Sequence, residues 1–377
     1  MPTELLIAPP ASGKTHTCIE RILALKSSQP MAQVWVIVPD RLQAAAFRRR
    51  LALAGGALGV QVGRFPDLFK HLLDAAGAAR PIASAPLVHR LIRETVDVAV
   101  TRGEIPYFAP LQFFPGFILA LRDAFAELKR AMVTPQQFLQ YTSGGSAAHM
   151  DLARLYSLYQ QRLEVLGWAD AEDISLLAAR VLQESASAAS AIRLLVVDGF
   201  DSFNGAQFQL LKLLSAQVGD LLITFPGNAA SDRPAHRRFI DSIDRLVRDL
   251  SPTVKTIEGP PHLPQVLRHI ENHLFEPQLC TPIPSGVPLM LEARSPADEA
   301  REALRWIKKL VVRENVPLAS CAIFTPNPST YHPLLRAAAE EFGIPIRFTL
   351  DEPLENSPAI TSLINLHLAC GQIGRPG

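Results

Sequence analysis

The chain has few cysteines, no excess of either charge and no long apolar run, and each shortage carries an implication. Its four cysteines, Cys18, Cys280, Cys321 and Cys370, lie far apart with no CxxC pair. That gives no metal-site spacing, and reduced cytosolic thiols are expected. Lys and Arg number 37 against 36 Asp and Glu, a net charge of +1. Overall charge therefore points to no nucleic acid, and any such partner would need a local basic groove. An apolar-rich uncharged run, Ile105 to Leu121, is broken by Pro106, Pro110 and Pro115. It falls short of the ~20 apolar residues that cross a bilayer. The opening MPTELLIAPP lacks the basic region and long apolar core of a secretory signal. A cytoplasmic protein with no membrane contact is expected.

What is present is a globular composition of 377 residues, 48% hydrophobic and 19% charged, enough for two or three cores. Residues 1–82 read as the first part of an α/β domain. TELLIAP is a short apolar strand, KTHTCIERILALKSS has apolar residues at helical spacing, and QVWVIVP is the unbroken β-branched run of a buried parallel strand. RLQAAAFRRRLALAG continues as a helix. From 83 to 191 the 3.6-residue period dominates, which predicts an inserted helical subdomain. The α/β pattern returns over 192–285 with the strand AIRLLVVD, the helix GAQFQLLKLLSAQ and the strand GDLLITFPG. A polar, proline-rich stretch from Arg233 to Pro288 then separates a last α/β piece, 286–377. In it SCAIFTP and IPIRFTL read as strands, alternating with helices.

The chemistry concentrates at Ala8–Thr15, APPASGKT, between the first strand and the first helix. A phosphate loop works by wrapping backbone N–H groups around a phosphate while lysine adds a point charge and a Ser or Thr hydroxyl ligates Mg²⁺. Lys14 and Thr15 fill the last two roles, Gly13 permits close backbone approach, and Ala8 stands where the motif usually opens with glycine. Ala11, Ser12, Gly13, Lys14, Thr15 and His16 are the nucleotide-binding candidates, His16 being equally a helix-surface residue. Asp198, ending the strand LLVVD, is the candidate to hold Mg²⁺ together with Thr15. The bland alternative is a Gly-Lys-Thr that merely starts a helix.

The arrangement resembles the core of superfamily 1, UvrD-like helicases, and within it the AddB group of bacterial helicase–nuclease subunits. The motifs that carry the likeness are the phosphate loop, VWVIVPDRLQAAAFRRRL, VGRFPDLFKHLL and, most specifically, VVDGFDSFNGAQFQLLKLL, where active helicases have Asp-Glu. The resemblance implies an α/β, RecA-like P-loop domain with a parallel sheet, an inserted helical subdomain and the start of a second RecA-like domain. It also implies ATP and Mg²⁺ as cofactors, with DNA and an AddA-like subunit as partners in double-strand-break repair. Departures from the pattern imply weak hydrolysis. Gly199 stands where the water-positioning glutamate is found, and Thr325–Pro326 where an arginine reaches the γ-phosphate. A glutamine segment before the loop, the later motor motifs, the nuclease and an iron–sulfur cysteine cluster are not found, so the chain reads as the amino-terminal part of a longer protein. A working translocase using Asp201 and a scaffold that binds no nucleotide are the alternatives; Asp201 also reads as an Asx-turn or helix-cap residue.

For DNA, single-strand tracks combine cations with aromatic platforms. Arg41, Arg48, Arg49, Arg50, Arg64 and Phe65 are the candidates. Against them stand a solvated helix face for the arginine run and a buried role for Phe65. Tyr156 and Tyr159, at i and i+3, read as core, and Asp170 and Asp173 as helix caps.

Overall fold

The computed structural model describes residues 3–227, 236–257, 264–274, 290–349, 354 and 357–373. The chain divides into two compact units, Met1–Pro284 and Ser285–Gly377. In the first, β1 (Thr3–Ala8), β2 (Gln33–Ile37), β3 (Val60–Gly63), β4 (Ile192–Val197), β5 (Asp220–Pro226) and β6 (Thr253–Thr256) form one sheet in the order β3-β2-β4-β5-β1-β6. Every pairing is parallel.

Side chains alternate across a strand, and a parallel sheet buries both faces. Leu5, Ile7, Trp35, Ile37, Leu195, Val197, Leu221, Ile223 and Phe225 form one face. They pack beneath α3 (Phe65–Ala75), α8 (Asp173–Glu184), α9 (Gly205–Ser215) and α10 (Arg237–Leu250). Leu6, Val34, Val36, Val38, Val62, Leu194, Val196 and Leu222 form the other, beneath α1 (Lys14–Ser28) and α2 (Arg41–Leu53). The result is a three-layer α/β domain.

Between β3 and β4 the chain is helical, as the periodicity predicts. α4 (Ala85–Thr101), α5 (Pro115–Arg130), α6 (Pro135–Thr142) and α7 (Ala147–Leu166) precede α8. The core of α4, α5 and α7 is separate from the sheet's and contains Tyr156 and Tyr159 stacked on Phe125. α8 packs on the sheet instead. The two groups are joined by a buried charge network that the sequence reading missed. Lys129, with no exposed surface, lies 2.5 Å from Asp170 and 2.8 Å from Asp173, while the Tyr159 hydroxyl donates to Asp170 at 2.9 Å. Asp170 also has the expected capping role, accepting from the N–H groups of Glu172 and Asp173 at the start of α8. Burial raises the Asp173 pKa against the lowering pull of Lys129.

The polar stretch from Arg233 onward contains α10, the edge strand β6 and α11 (Gln265–His273), and one expectation beyond it needs correction. Its residues 233–235, 258–263 and 275–288 lie outside the described residues. In the second unit, α12 (Pro296–Glu314), α13 (Pro328–Phe342) and α14 (Pro358–Ile373) form as helices, but SCAIFTP and IPIRFTL are not paired strands among the described residues. Ile323, Ile344, Ile346 and Phe348 pack instead against the small core of Ala300, Leu304, Leu335, Ala338 and Ala339.

Candidate functional site

β1 ends at Ala8 and α1 begins at Lys14, so a five-residue turn delivers the chain from strand to helix. The left-handed backbone this requires falls at Ala11 (φ 58°) and Gly13 (φ 88°), whereas Ala8 is still a strand residue paired with Pro226. That explains why alanine serves at the loop's first position: Ala8 keeps the extended backbone of a strand, which needs no glycine. Ser12 is buried and its hydroxyl donates to the Pro9 carbonyl. The Lys14 ammonium donates to the carbonyls of Ala8 and Pro9, both at 2.7 Å. Burial lowers its pKa, and the Asp198 carboxylate opposes that shift. The first-turn N–H groups of α1 have no intrahelical acceptors, as at any helix start, and the macrodipole adds partial positive charge there.

Asp198 follows the last residue of β4 and is buried. Two hydroxyls hold its carboxylate: Thr15 Oγ1 donates to Oδ2 at 2.8 Å and Thr224 Oγ1 to Oδ1 at 2.5 Å. Thr224 lies on β5, the strand between β4 and β1, and has no exposed surface. Sequence reading missed it because threonine is an ordinary strand residue. The same carboxylate, after burial itself, helps push the Cys18 thiol well up.

Gly199, next to Asp198, has φ +86°. A Cβ built there would stand 2.4 Å from Gln43 Oε1. The space a side chain at 199 would enter is therefore filled by a neutral amide from the first turn of α2. The Gln43 N–H donates to the N-cap carboxylate of Asp40 at 2.8 Å, and its exposed side-chain amide donates to the other oxygen at 3.3 Å. Asp201 pairs with Arg238 at 2.9 Å, largely exposed, and the cap of α9 is Asn204.

The loop from Ala11 to His16 forms one wall of an open groove of ≈ 660 Å³, with Ile19, Arg50, Leu53 and Ala54 completing it. His16 itself is exposed and pairs with Glu20 at 3.2 Å. The arginine run thus divides. Arg50 faces the loop groove, whereas Arg48 lies with Arg41, Arg64 and Trp35 around a depression of ≈ 630 Å³ at the β3 edge. There the Arg48 guanidinium donates to the Val62 carbonyl, and Arg64 pairs with Asp67 at 3.3 Å. Arg49 is exposed on the same helix. Phe65 is only 3% exposed and packs edge-on to Phe200 and Phe203. It is not a base-stacking platform, because its ring faces are already covered.

Among the described residues no three His, Cys, Asp or Glu side chains gather as a metal cluster, and no helix is long and apolar enough to cross a membrane.

Residues 5–255 match the family model described as "ADDB, N-terminal". Similar curated proteins include an ATP-dependent helicase/deoxyribonuclease subunit from Bacillus thuringiensis subsp. konkukian (strain 97-27), 23% identical over 399 residues. The protein of the same name from Moorella thermoacetica (strain ATCC 39073 / JCM 9320) is 26% identical over 395 residues. Each alignment covers 96% of this chain and 33% of the relative, so the chain spans about a third of their length.

Proposed function

Since the chain belongs to the AddB amino-terminal family, we propose that it is the ATP-binding, helicase-like part of a helicase–nuclease subunit acting in DNA double-strand-break repair. In this reading it binds ATP–Mg²⁺ and DNA, works beside an AddA-like subunit and hydrolyses ATP weakly on its own. The names of its relatives speak for ATP and DNA. The observation that carries the reading is the Thr15–Asp198–Thr224 contact beside Lys14.

The residues fit ATP–Mg²⁺. Lys14 rests on two carbonyls that it can exchange for phosphate oxygens, a partly buried cation for which a charged acceptor is the better partner. Thr15 and Asp198 present a hydroxyl and a carboxylate oxygen, hard ligands suited to Mg²⁺ or its bound water. Thr224 keeps the carboxylate turned toward Thr15. When bound, ATP–Mg²⁺ supplies a charged, phosphate-rich ligand for the loop and a transferable phosphoryl group.

Weak hydrolysis follows from Gly199. General-base assistance contributes about 10²–10⁴ in rate, and the amide of Gln43 that occupies this space has no proton affinity to offer. Asp201 is turned outward to Arg238. Interactions shared equally by substrate and transition state give affinity without rate.

Thermal melts with and without Mg·ATP, on the parent and Lys14→Ala, test the reading. Ligand at about 100 times its dissociation constant adds about 2.7 kcal/mol of stability. A parent that gains nothing while folded would count decisively against it. Steady-state phosphate release of several per second, lost in Asp198→Ala, would replace weak hydrolysis by a working motor.

A further inference from the structure

The arginine run divides over α2, and Arg50 turns to the same groove as the phosphate loop. Resting on the nucleotide reading above, we propose that the carboxyl-terminal end of α2 is the base-side wall of the nucleotide site. Arg50 and Leu53 grip a purine ring there without reading which purine it is.

The groove's lining is of two chemical kinds. From the loop and the start of α1, Gly13, Lys14 and Thr15 offer a cation, a hydroxyl and helix-start N–H groups, which suit phosphates. Ile19 of α1 and, from the end of α2, Leu53 and Ala54 add apolar side chains, with the guanidinium of Arg50. Leu53 is 78% exposed, an apolar side chain standing on the groove wall with little packed over it. Arg50 is also exposed and makes no ion pair with a described residue. A planar guanidinium beside an aliphatic side chain suits the flat face of a nucleobase, where arginine stacks and lysine does not.

The same inventory leaves little to distinguish adenine from guanine. Ile19, Leu53 and Ala54 have no side-chain donor or acceptor, and stacking is tolerant of base identity. The carbonyls of Arg50, Leu51 and Ala52 already accept from the N–H groups of Ala54, Gly56 and Gly55. Selectivity against the wrong base needs buried polar groups that it would leave unpaired, and the polar side chain of this wall, Arg50, is exposed.

The test is calorimetric or fluorescence titration of the full chain with Mg·ATP, Mg·GTP and Mg·tripolyphosphate, on the parent, Lys14→Ala, Arg50→Ala and Arg49→Ala, each first checked by thermal melt for folding. Expected are ATP and GTP affinities within about threefold of each other. Arg50→Ala weakens both by about tenfold, the scale of one desolvated cation–π contact, and leaves tripolyphosphate unchanged. Arg49→Ala behaves as the parent and Lys14→Ala weakens all three ligands. A parent that binds none of them, or a Lys14→Ala variant that binds as the parent does, overturns the nucleotide reading and this inference with it. Lys14-dependent binding overturns the inference alone under any of three results: Arg50→Ala keeps full nucleotide affinity, Arg50→Ala weakens tripolyphosphate equally, or ATP is preferred over GTP more than tenfold.

Discussion

Replacing Gly199 by a side-chain-bearing residue tests whether the backbone next to Asp198 has room for a glutamate. At φ +86° an L-residue costs about 1–2 kcal/mol in backbone strain. The added Cβ also arrives 2.4 Å from Gln43 Oε1. That amide is the far end of a flexible, exposed side chain, so it can swing away, losing its 3.3 Å contact with Asp40, about 0.5 kcal/mol for an exposed hydrogen bond. The sum is about 1.5–2.5 kcal/mol for Gly199→Ala. At about 2–4 °C per kcal/mol for domains of some 200 residues, Tm should fall by roughly 3–10 °C. A double-mutant cycle separates the two parts. Gln43→Ala alone should cost little, and Gly199→Ala on that background should retain only the strain. Urea unfolding monitored by circular dichroism gives all four free energies. If Gly199→Ala stays within about 0.5 kcal/mol of the parent, below any figure for a left-handed L-residue, the strain argument is wrong. Gly199→Glu should carry the same penalty and fail to raise phosphate release.

Removing Lys129 leaves two buried carboxylates unpaired, so Lys129→Met should cost about 3–5 kcal/mol by urea unfolding. The raised Asp173 pKa means that its contribution is fully present below the unfolded carboxylate pKa and is lost as pH rises through the folded one. Loss of Lys129 raises that pKa further, so the Lys129→Met penalty should be larger at pH 7 than at pH 4.5; equal penalties would refute the assignment. Phe65→Ala should cost about 3–5 kcal/mol as a cavity mutation, with single-stranded DNA affinity per folded molecule unchanged; a selective loss of DNA binding would restore Phe65 as a platform. For DNA, Arg48→Ala and Arg64→Ala should each reduce the log–log salt slope by about 0.7 and Arg50→Ala should not, as filter binding at several salt concentrations will show. Cys18, buried with its thiol pushed up, should resist a thiol reagent at pH 8 until the chain is denatured, and rapid native labelling at Cys18 would contradict its burial.

Buried parallel strands leave the plainest trace in sequence. β1, β2, β4 and β5 read directly because nearly every residue in them is buried and apolar. β6 left none: Thr253 to Thr256 are all exposed, an edge strand defined by its pairing with β1. SCAIFTP has the composition of a strand, yet composition supplies no partner, and it pairs with no strand among the described residues. In the candidate site, Lys14, Thr15 and Asp198 were named from motif spacing and context, and the structure brings the Thr15 hydroxyl to Asp198. Thr224 was not, since one hydroxyl in LLITFP shows its purpose only when β5 brings it to Asp198. The division of Arg48 from Arg50 was legible in principle, because residues two apart on a helix point about 200° from each other.

The position of β1 has a consequence for how the chain is made. β1 leaves the ribosome well before its two neighbours, β5 and β6, formed by residues 220–226 and 253–256. Until those residues emerge, Leu5, Leu6 and Ile7 have an apolar strand with no ladder on either side. At about 5–20 residues per second the wait for β5 lasts roughly 11–44 seconds. The loop between β1 and α1 takes its final shape only after β5 has formed beside β1. Its aspartate emerges 183 residues after Thr15 and the strand between them later still. The nascent β1 segment therefore needs shielding until β5 is made, and a ribosome that stalls before residue 220 holds out an exposed apolar strand.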